Sequence, residues 1–389
     1  MPRSIFNPGS HSRFNAGGAL PQPLRWVSSL LIAATSLALA YAPVPGLRQT
    51  LVVVSGSELK EALEDLEVKF EQQYRDIDLQ LEIQGSQDMV DRYGAGTNDF
   101  TATVLIPADG QLLTELERQW QVQNPQGKPL FATEPQPIAK TLLVGVVWPD
   151  RGQQLFPQGR FQWQQLDAVL AGDRRWEAVG GPPEWGSVDL LITDPSRSNS
   201  GQLSLSLWLQ SRLGQDTLDA ASLSTTPAQT LLSQLKTALY QPAPSTDTLL
   251  QQFITQGPNN ADLALVYESI ALHRWSQAQV NPGRSYQIYY LDPTLETVAT
   301  GVVLRPGNGG GQVRAGRSFL QFLQEPAQQQ VFATYGFRPV DRNFDLTAVP
   351  NSPWAANIPG AQPLPSGRIG AAPDAATRAA LVQAWQQVR

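Results

Sequence analysis

Cysteine is absent from the 389-residue chain, and histidine occurs only twice, at His11 and His273. The lack of cysteine excludes disulfides, thiol catalysis, cysteine-ligated zinc and iron–sulfur clusters, and the lipidated cysteine of a bacterial lipoprotein. A histidine metal site or a Ser-His-Asp triad would depend on His273 alone, whereas either needs several convergent groups. We therefore predict no metal site, no cofactor and no enzymatic activity.

A basic stripe is also absent, because 34 acidic residues outnumber 28 basic ones and the net charge is −6. Proteins that bind nucleic acid carry a clustered positive surface, so we exclude nucleic acid as a partner. Hydrophobic residues make up 41% of the chain and charged residues 16%, as in an ordinary globular protein. The length favours two or three domains.

Residues 1–46 have the features of an export signal. Residues 1–25 contain three arginines and no acidic residue, and residues 26–42 carry no charge at all. A basic flank before an apolar helix and small residues is typical of such signals. A cleaved signal peptide and a retained anchor in the inner membrane both remain open. Either one predicts export to the periplasm or an equivalent lumen, with the positive flank left in the cytoplasm.

Strand-like and helix-like runs alternate after this segment. The β-branched run TLVVVSG (50–56) precedes residues 57–74, in which apolar residues recur at helical spacing. The alternation continues with short turns, and it predicts a parallel sheet covered by helices on both faces. A proline-rich stretch and a last helix, with Asp374 as its N-cap, end the chain.

The stretch TDPSRSNSG (193–201) places small hydrogen-bonding residues where a strand turns into a helix. The first N–H groups of a helix lack intrahelical partners and carry partial positive charge, so such a turn suits an anion or a carboxylate. Alternatively, Ser198 or Asn199 only caps the helix. Ser57 and Ser86 occupy matching turns after two earlier strands, which favours binding.

Four segments, in order along the chain, resemble the type II extracellular (periplasmic) solute-binding proteins. They are the strand–turn–helix–strand run at 52–86, the turn at 182–203, the strand NNADLALVYESIAL at 259–272 and the run ending in YGFRPV at 316–340. The greatest likeness is to a subgroup in which this module precedes a von Willebrand A domain, because the tail from residue 364 is similar to the segment that leads into it. The A domain itself is expected to be absent, since the sequence stops at Arg389.

The resemblance implies an α/β fold of the type II periplasmic-binding-protein class. This fold is a two-lobe clamshell with discontinuous lobes and two crossover strands, here preceded by an N-terminal apolar helix. The predicted divisions are lobe one at 48–141 and 301–345, lobe two at 142–300, hinges at about 141–143 and 300–302, and a proline-rich linker with a C-terminal helix at 346–389.

The resemblance also implies that a small ligand is captured between the lobes, for an ABC importer or a receptor. Helix starts from both lobes would face it, so we predict an anionic or carboxylate-bearing ligand. Glu268, beside Tyr267, would instead suit an amine. The predicted ligand-binding residues are Ser57, Ser86, Ser198, Asn199, Ser200 and Tyr267.

A function of another class remains open. The chain would then be a membrane-anchored clamshell that no longer transports a solute and acts as an envelope interaction or assembly module. The predicted partners are accordingly a small-molecule ligand, an ABC permease or another envelope protein, and the membrane through the N-terminal helix.

Overall fold

The computed structural model describes residues 48–239, 242–279, 285–341 and 343–388. The predicted export signal at 1–46 lies outside these ranges. Within them, no helix combines the length and hydrophobicity that a membrane crossing requires.

The residues that the structure describes form eight strands and thirteen α-helices. The strands are β1 (Gln49–Gly56), β2 (Ile77–Gln84), β3 (Val104–Ile106), β4 (Gln136–Val147), β5 (Leu190–Leu191), β6 (Leu263–Tyr267), β7 (Gln287–Tyr290) and β8 (Glu296–Val303). The helices are α1 (Lys60–Gln73), α2 (Ser86–Ala95), α3 (Gly110–Gln123), α4 (Pro149–Leu155), α5 (Trp163–Ala171), α6 (Asn199–Leu213), α7 (Thr226–Ala238), α8 (Thr246–Gln256), α9 (Glu268–His273), α10 (Trp275–Ala278), α11 (Gly310–Gln324), α12 (Pro326–Thr334) and α13 (Ala375–Gln387).

The strands form one sheet in the order β2-β1-β3-β8-β4-β6-β5, and β7 also pairs with β4. Strand β1 is parallel to β2 and β3, and β5 is parallel to β6, as the alternation predicted. The prediction of a wholly parallel sheet is wrong, because β4 and β8 run antiparallel to their neighbours. Strand β4 runs in the direction of β1–β3 and opposite to β5 and β6, whereas β8 runs in the direction of β5 and β6 and opposite to β1–β3.

Strands β4 and β8 each belong to both halves of the sheet. Residues 136–142 of β4 pair with β8, whereas residues 143–147 pair with β6 and β7. Strand β8 pairs with β4 as far as Gly301 and with β3 from Val302 onward. The two-lobe fold with two crossover strands is thereby confirmed. The lobe boundaries and hinges stay predictions. Lobe one denotes the predicted ranges 48–141 and 301–345, and lobe two denotes the predicted range 142–300.

The core of lobe one forms around the apolar face of α1. The helical spacing predicted from the sequence puts Leu63, Leu66 and Phe70 on one side, and all three are fully buried. The ring of Phe70 lies 5.0 Å from that of Phe319 and 5.3 Å from that of Phe322, both on α11. Burying each such side chain stabilises the fold by about 1.5–3 kcal/mol. Helix α11 therefore packs on α1 and β1, within lobe one.

Helix α6 lies at the centre of lobe two, and every residue from Asn199 to Gln210 is buried. Its serines fit there because their hydroxyls bond to the helix itself: Ser204 donates to the carbonyl of Ser200 at 2.8 Å and Ser206 to that of Gln202 at 2.7 Å. A buried hydroxyl without such a partner would be costly. These two buried hydroxyls are therefore satisfied within α6.

The predicted linker packs along lobe two. The N–H of Ile288 donates to the carbonyl of Pro359 at 2.9 Å, and that of Thr294 donates to the carbonyl of Arg368 at 2.9 Å. The segment ends in α13, where Asp374 accepts a hydrogen bond from the Thr377 N–H at 2.8 Å, as an N-cap does. Helix α13 contacts α3 of lobe one as well as α6 and α7 of lobe two.

Candidate functional site

Polar residues from both lobes lie at the carboxyl ends of the strands. In lobe one, Ser57 follows β1, Ser86 follows β2, and Asp109 follows β3 as the N-cap of α3. In lobe two, Asn199 starts α6 and Tyr267 ends β6. Ligands of open α/β sheets bind beyond these strand ends, so this edge is the candidate site.

Four buried side chains meet there. Asn199 donates a hydrogen bond to the hydroxyl of Tyr267 at 2.9 Å. The guanidinium of Arg378 donates to the Asn199 side-chain oxygen at 2.9 Å and to Asp109 at 2.5 Å. Each of the four is 8% exposed or less. We call Asp109, Asn199, Tyr267 and Arg378 the Arg378 cluster.

Asp109 holds two partners at once. One carboxylate oxygen accepts from the Gln111 N–H at 3.0 Å and so caps α3, while the other accepts from Arg378. The Nε of Arg378 also donates to the carbonyl of Pro373 at 3.3 Å. Arg378 thus contacts a carboxylate of lobe one and an amide of lobe two. Its helix, α13, belongs to neither lobe.

The hydroxyls of Ser198 and Ser200 are used within lobe two. Ser200 lies 2.8 Å from the Thr193 hydroxyl, 2.7 Å from that of Thr246 and 3.1 Å from that of Ser198. Gly201 permits this packing, because a Cβ there would lie 2.5 Å from the Thr193 carbonyl oxygen. Ser198 is the N-cap residue of α6, yet its hydroxyl makes no capping bond.

Ser86 and Ser57 lie outside the Arg378 cluster. The Ser86 hydroxyl accepts a hydrogen bond from the Ala108 N–H at 3.0 Å, which fixes α2 against the end of β3. Ser57 is half-buried and lines a separate cavity of about 150 Å³. Of the six predicted ligand residues, the structure therefore brings Asn199 and Tyr267 into contact with each other. The hydroxyls of Ser198 and Ser200 also contact each other, whereas Ser57 and Ser86 lie in separate settings.

Glu58 adds a second carboxylate to this edge. It is 9% exposed, and its Oε1 is buried without a hydrogen-bond partner. Burial raises the pKa of Glu58 to about 7; its own backbone N–H opposes this rise and the charge of Asp247 adds to it. Burial likewise holds the pKa of Tyr267 well above its usual value, and the charges of Glu58 and Asp109 raise it further. Glu58 therefore acts on the same hydroxyl that Asn199 contacts.

The two lobes touch directly around the site. Arg197 of lobe two pairs with Asp88 of lobe one at 2.9 Å, and Gln202 donates to Gln87 at 3.1 Å. On the other side, Glu61 on α1 pairs with Arg274 at 2.9 Å and also with the ring of His273, both from lobe two. Burial alone would raise the pKa of Glu61, but these two partners hold it below its usual value.

Glu268, which the sequence suggested as an amine partner, is already paired. Arg338 donates to both of its oxygens, at 2.7 and 2.8 Å, and Tyr290 donates to it as well. Burial raises the pKa of Glu268, although the charge of Arg338 opposes that rise. This pair links the lobes away from the Arg378 cluster.

Two further features bear on what this edge could bind. A larger cavity of about 680 Å³ lies on lobe two beside the C-terminal segment, lined in part by Phe161, Tyr289 and Arg368, and none of the predicted ligand residues lines it. In the part of the chain that the structure describes, no group of three or more His, Cys, Asp or Glu residues is placed to hold a metal ion.

Sequence reasoning missed Glu58, Asp109 and Arg378. Asp109 had a usable signal, because it stands between a predicted strand and a predicted helix, as Ser57 and Ser86 do. Glu58 directly follows Ser57 in the same turn. Arg378 had no such signal, since nothing in the pattern of its helix indicates which lobe the helix contacts.

The comparisons with known proteins agree with the two-lobe fold. A family model described as bacterial extracellular solute-binding protein matches residues 51–338. Among curated proteins, none matches the sequence significantly.

Solved structures of low identity share the fold. A periplasmic thiamin-binding protein is 16% identical, with a TM-score of 0.63 and coverage of 89% of this chain and 98% of its own. The sulfate-binding protein of Mycobacterium tuberculosis H37Rv is 13% identical, with a TM-score of 0.57 and coverage of 83% and 94%. An iron-bound protein of Pseudomonas aeruginosa is 14% identical, with a TM-score of 0.53 and coverage of 87% and 99%.

Proposed function

Because the chain belongs to the bacterial extracellular solute-binding protein family, we propose that it captures a small solute between its two lobes for an ABC importer or a receptor. The Arg378 cluster is the observation that carries this proposal. There, Asp109 from lobe one and Asn199 and Tyr267 from lobe two converge at strand ends, where ligands of this class of sheet bind.

The charges at the site refine the expected ligand. Helix starts at Ser86 and Asn199 support a carboxylate on the ligand, as the sequence suggested. The carboxylates of Glu58 and Asp109 oppose a bare inorganic anion at the same place. Sulfate and iron, which two of the similar structures bind, carry opposite charges, so the fold alone leaves the sign open. A carboxylate-bearing solute would need a positive group as well.

The same proposal includes export. Residues 1–46 would direct the remainder to the periplasm or an equivalent lumen, and residues 26–42 would anchor it if they are retained. A protease-protection assay on intact cells and on spheroplasts tests this proposal. Degradation of residues 48–389 only after spheroplasts are lysed would contradict it.

A thermal-shift screen of the exported chain tests solute capture. The panel contains oxyanions, carboxylates, amino acids, amines, guanidines and sugars. A solute at about 100 times its Kd adds about 2.7 kcal/mol to the free energy of unfolding. We expect a hit whose shift is lost in Asn199→Ala and kept in Asn259→Ala, where the residue is exposed. A hit with the same shift in both variants would place binding elsewhere.

A second function is favoured by one observation: Arg378 already fills the contact between Asp109 and Asn199. A cleft closed permanently in this way would suit an envelope interaction module, in line with the likeness to the subgroup fused to a von Willebrand A domain. The absence of any hit, both for the wild-type chain and for Arg378→Ala, would favour this second function.

A further inference from the structure

We propose that the guanidinium of Arg378 occupies the position of the solute in the solute-free protein. The solute carries a guanidinium or amino group, which replaces the Arg378 guanidinium between Asp109 and Asn199. This inference rests on the proposed function, because it assumes that a solute enters the cleft. The inference adds to the proposed function the chemical class of the solute. It also makes the Arg378 side chain a competitor of the solute for the site.

The position of Arg378 is the first support. Its guanidinium bonds to Asp109 of lobe one and to Asn199 of lobe two, as a ligand held between the lobes would. It reaches them from α13, which follows both lobes in the chain and packs mainly on lobe two through the buried side chains of Leu381 and Trp385. A group from outside the lobes thus occupies the cross-lobe contact.

The acceptors around this position are the second support. Asp109 offers a carboxylate and Asn199 a carbonyl oxygen, and a planar guanidinium with five N–H donors is suited to both. An anion in the same place would meet the charge of Asp109. The site is therefore built for a cation.

Glu58 supplies an independent observation. Its Oε1 is buried, has no hydrogen-bond partner and lies on the lobe-one side of the same edge. A buried carboxylate oxygen without a donor is costly, and a second donor group on a cationic solute would remove that cost.

The third support is the position of Arg378 in the first turn of α13, which the Asp374 cap stabilises. Arg378 lies in the first turns of the helix, whose N-terminal end carries partial positive charge and disfavours a cation. Residues 370–374 before it form neither helix nor strand. Trp385, two residues before the end of the helix at Gln387, is held by Lys236, whose Nζ lies 4.5 Å from the centre of its ring. Unwinding the first turn alone would therefore release the site.

The test measures the affinity of the full exported chain for agmatine, a guanidine without a carboxylate, by isothermal titration calorimetry. We expect Arg378→Ala to bind agmatine about tenfold or more tightly than the wild type, because removal of a competitor raises the fraction of competent sites. Adding Asp109→Asn to Arg378→Ala should abolish that gain. Arg118→Ala, which removes an exposed arginine paired only within α3, should leave the wild-type affinity unchanged.

Hydrogen exchange gives a second readout on the wild-type chain. Agmatine should increase exchange at residues 375–379 and decrease it at the start of α6. If Arg378 stayed bound to Asp109 and Asn199, hydrogen exchange at residues 375–379 would not increase.

The melting temperature of each variant shows whether the variant folds. If Arg378→Ala does not fold, Arg378→Lys is used in its place. Lysine keeps the charge but offers fewer directed donors, so it should compete less and bind agmatine more tightly than the wild type.

Agmatine affinity that is the same in the wild type and the folded variants would overturn the inference. If Arg378→Ala bound sulfate or a sugar from the panel but not agmatine, solute capture would stand and the cationic class would fall. If no variant bound any solute in the panel, the proposed function would fall with the inference.

Discussion

Arg378 donates a 2.5 Å hydrogen bond to Asp109, a residue 269 positions earlier in the chain. Burying two opposite charges costs desolvation energy that their attraction offsets only when the remaining donors and acceptors are satisfied. Here Asp109 also accepts from Gln111, and Arg378 also donates to Asn199 and Pro373. The pair therefore ties α13 and lobe two to lobe one at the centre of the candidate site.

Replacing Asn199 with alanine should lower the free energy of unfolding by about 1–3 kcal/mol, because the buried Tyr267 hydroxyl and Arg378 guanidinium each lose a partner. Urea denaturation measures this change. Asn259→Ala on the exposed surface is the control and should stay within about 0.5 kcal/mol of the wild type. Wild-type stability in Asn199→Ala would mean that these contacts do not form in solution.

Replacing Glu58 with glutamine should reduce the dependence of stability on pH. Burial raises the pKa of Glu58 from 4.5 to about 7 in the folded chain, so the folded state favours the protonated form. The raised pKa of Glu58 contributes roughly 3 kcal/mol to the free energy of unfolding. This contribution is complete below about pH 4.5 and is lost as the pH rises to about 7.

Urea unfolding of the wild type and Glu58→Gln between pH 4 and 8 measures this difference. The variant should match the wild type near pH 4 and exceed it by roughly 3 kcal/mol near pH 8. Asp109, Asp247, Tyr267 and Arg378 remain in both proteins, so comparing the two isolates Glu58. A constant difference across the range would contradict the raised pKa.

Replacing Arg338 with methionine should lower the free energy of unfolding by about 3–5 kcal/mol, because Glu268 would be left as a buried carboxylate without its cation. The pKa of Glu268 is already raised by burial, so the loss should be greater at pH 8 than at pH 5. Arg368→Met is the matched control: its pair with Asp292 is exposed and should change stability by less than about 1 kcal/mol. Equal losses in the two variants would argue against the buried pair.

Replacing Arg197 with alanine should shift the lobes towards an open state with little loss of stability. Its bond to Asp88 crosses the cleft but is about half exposed, so we expect a change in unfolding free energy of less than about 1 kcal/mol. Small-angle X-ray scattering should show a larger radius of gyration for Arg197→Ala than for the wild type. Arg118→Ala, which breaks an exposed pair within α3, should leave the radius unchanged.

The sequence was sufficient where local patterns decide the structure. The helical spacing of Leu63, Leu66 and Phe70 predicted a face that is indeed buried in lobe one. The strand–helix turns predicted that Asn199 and Tyr267 end up at the same edge of the sheet. Because strand ends gather there, both residues could be named without a structure, while their role in binding stays a prediction.

The sequence was insufficient where contacts join distant parts of the chain. The Ser86 and Ser200 hydroxyls are bonded to Ala108 and Thr246, and these contacts depend on how the elements pack. The run SVDLLI predicted a longer strand than the one observed. The observed strand is Leu190–Leu191, because only these two residues pair with β6. Arg378 was missed because no local pattern connects α13 with Asp109.

The most direct test of solute capture between the lobes is a crystal structure of the full exported chain with the strongest hit from the thermal-shift screen. Our account predicts that the solute lies between the lobes and bonds to Asp109 and Asn199. A solute in the cavity of about 680 Å³ on lobe two, beside Tyr289 and Arg368, would contradict the account.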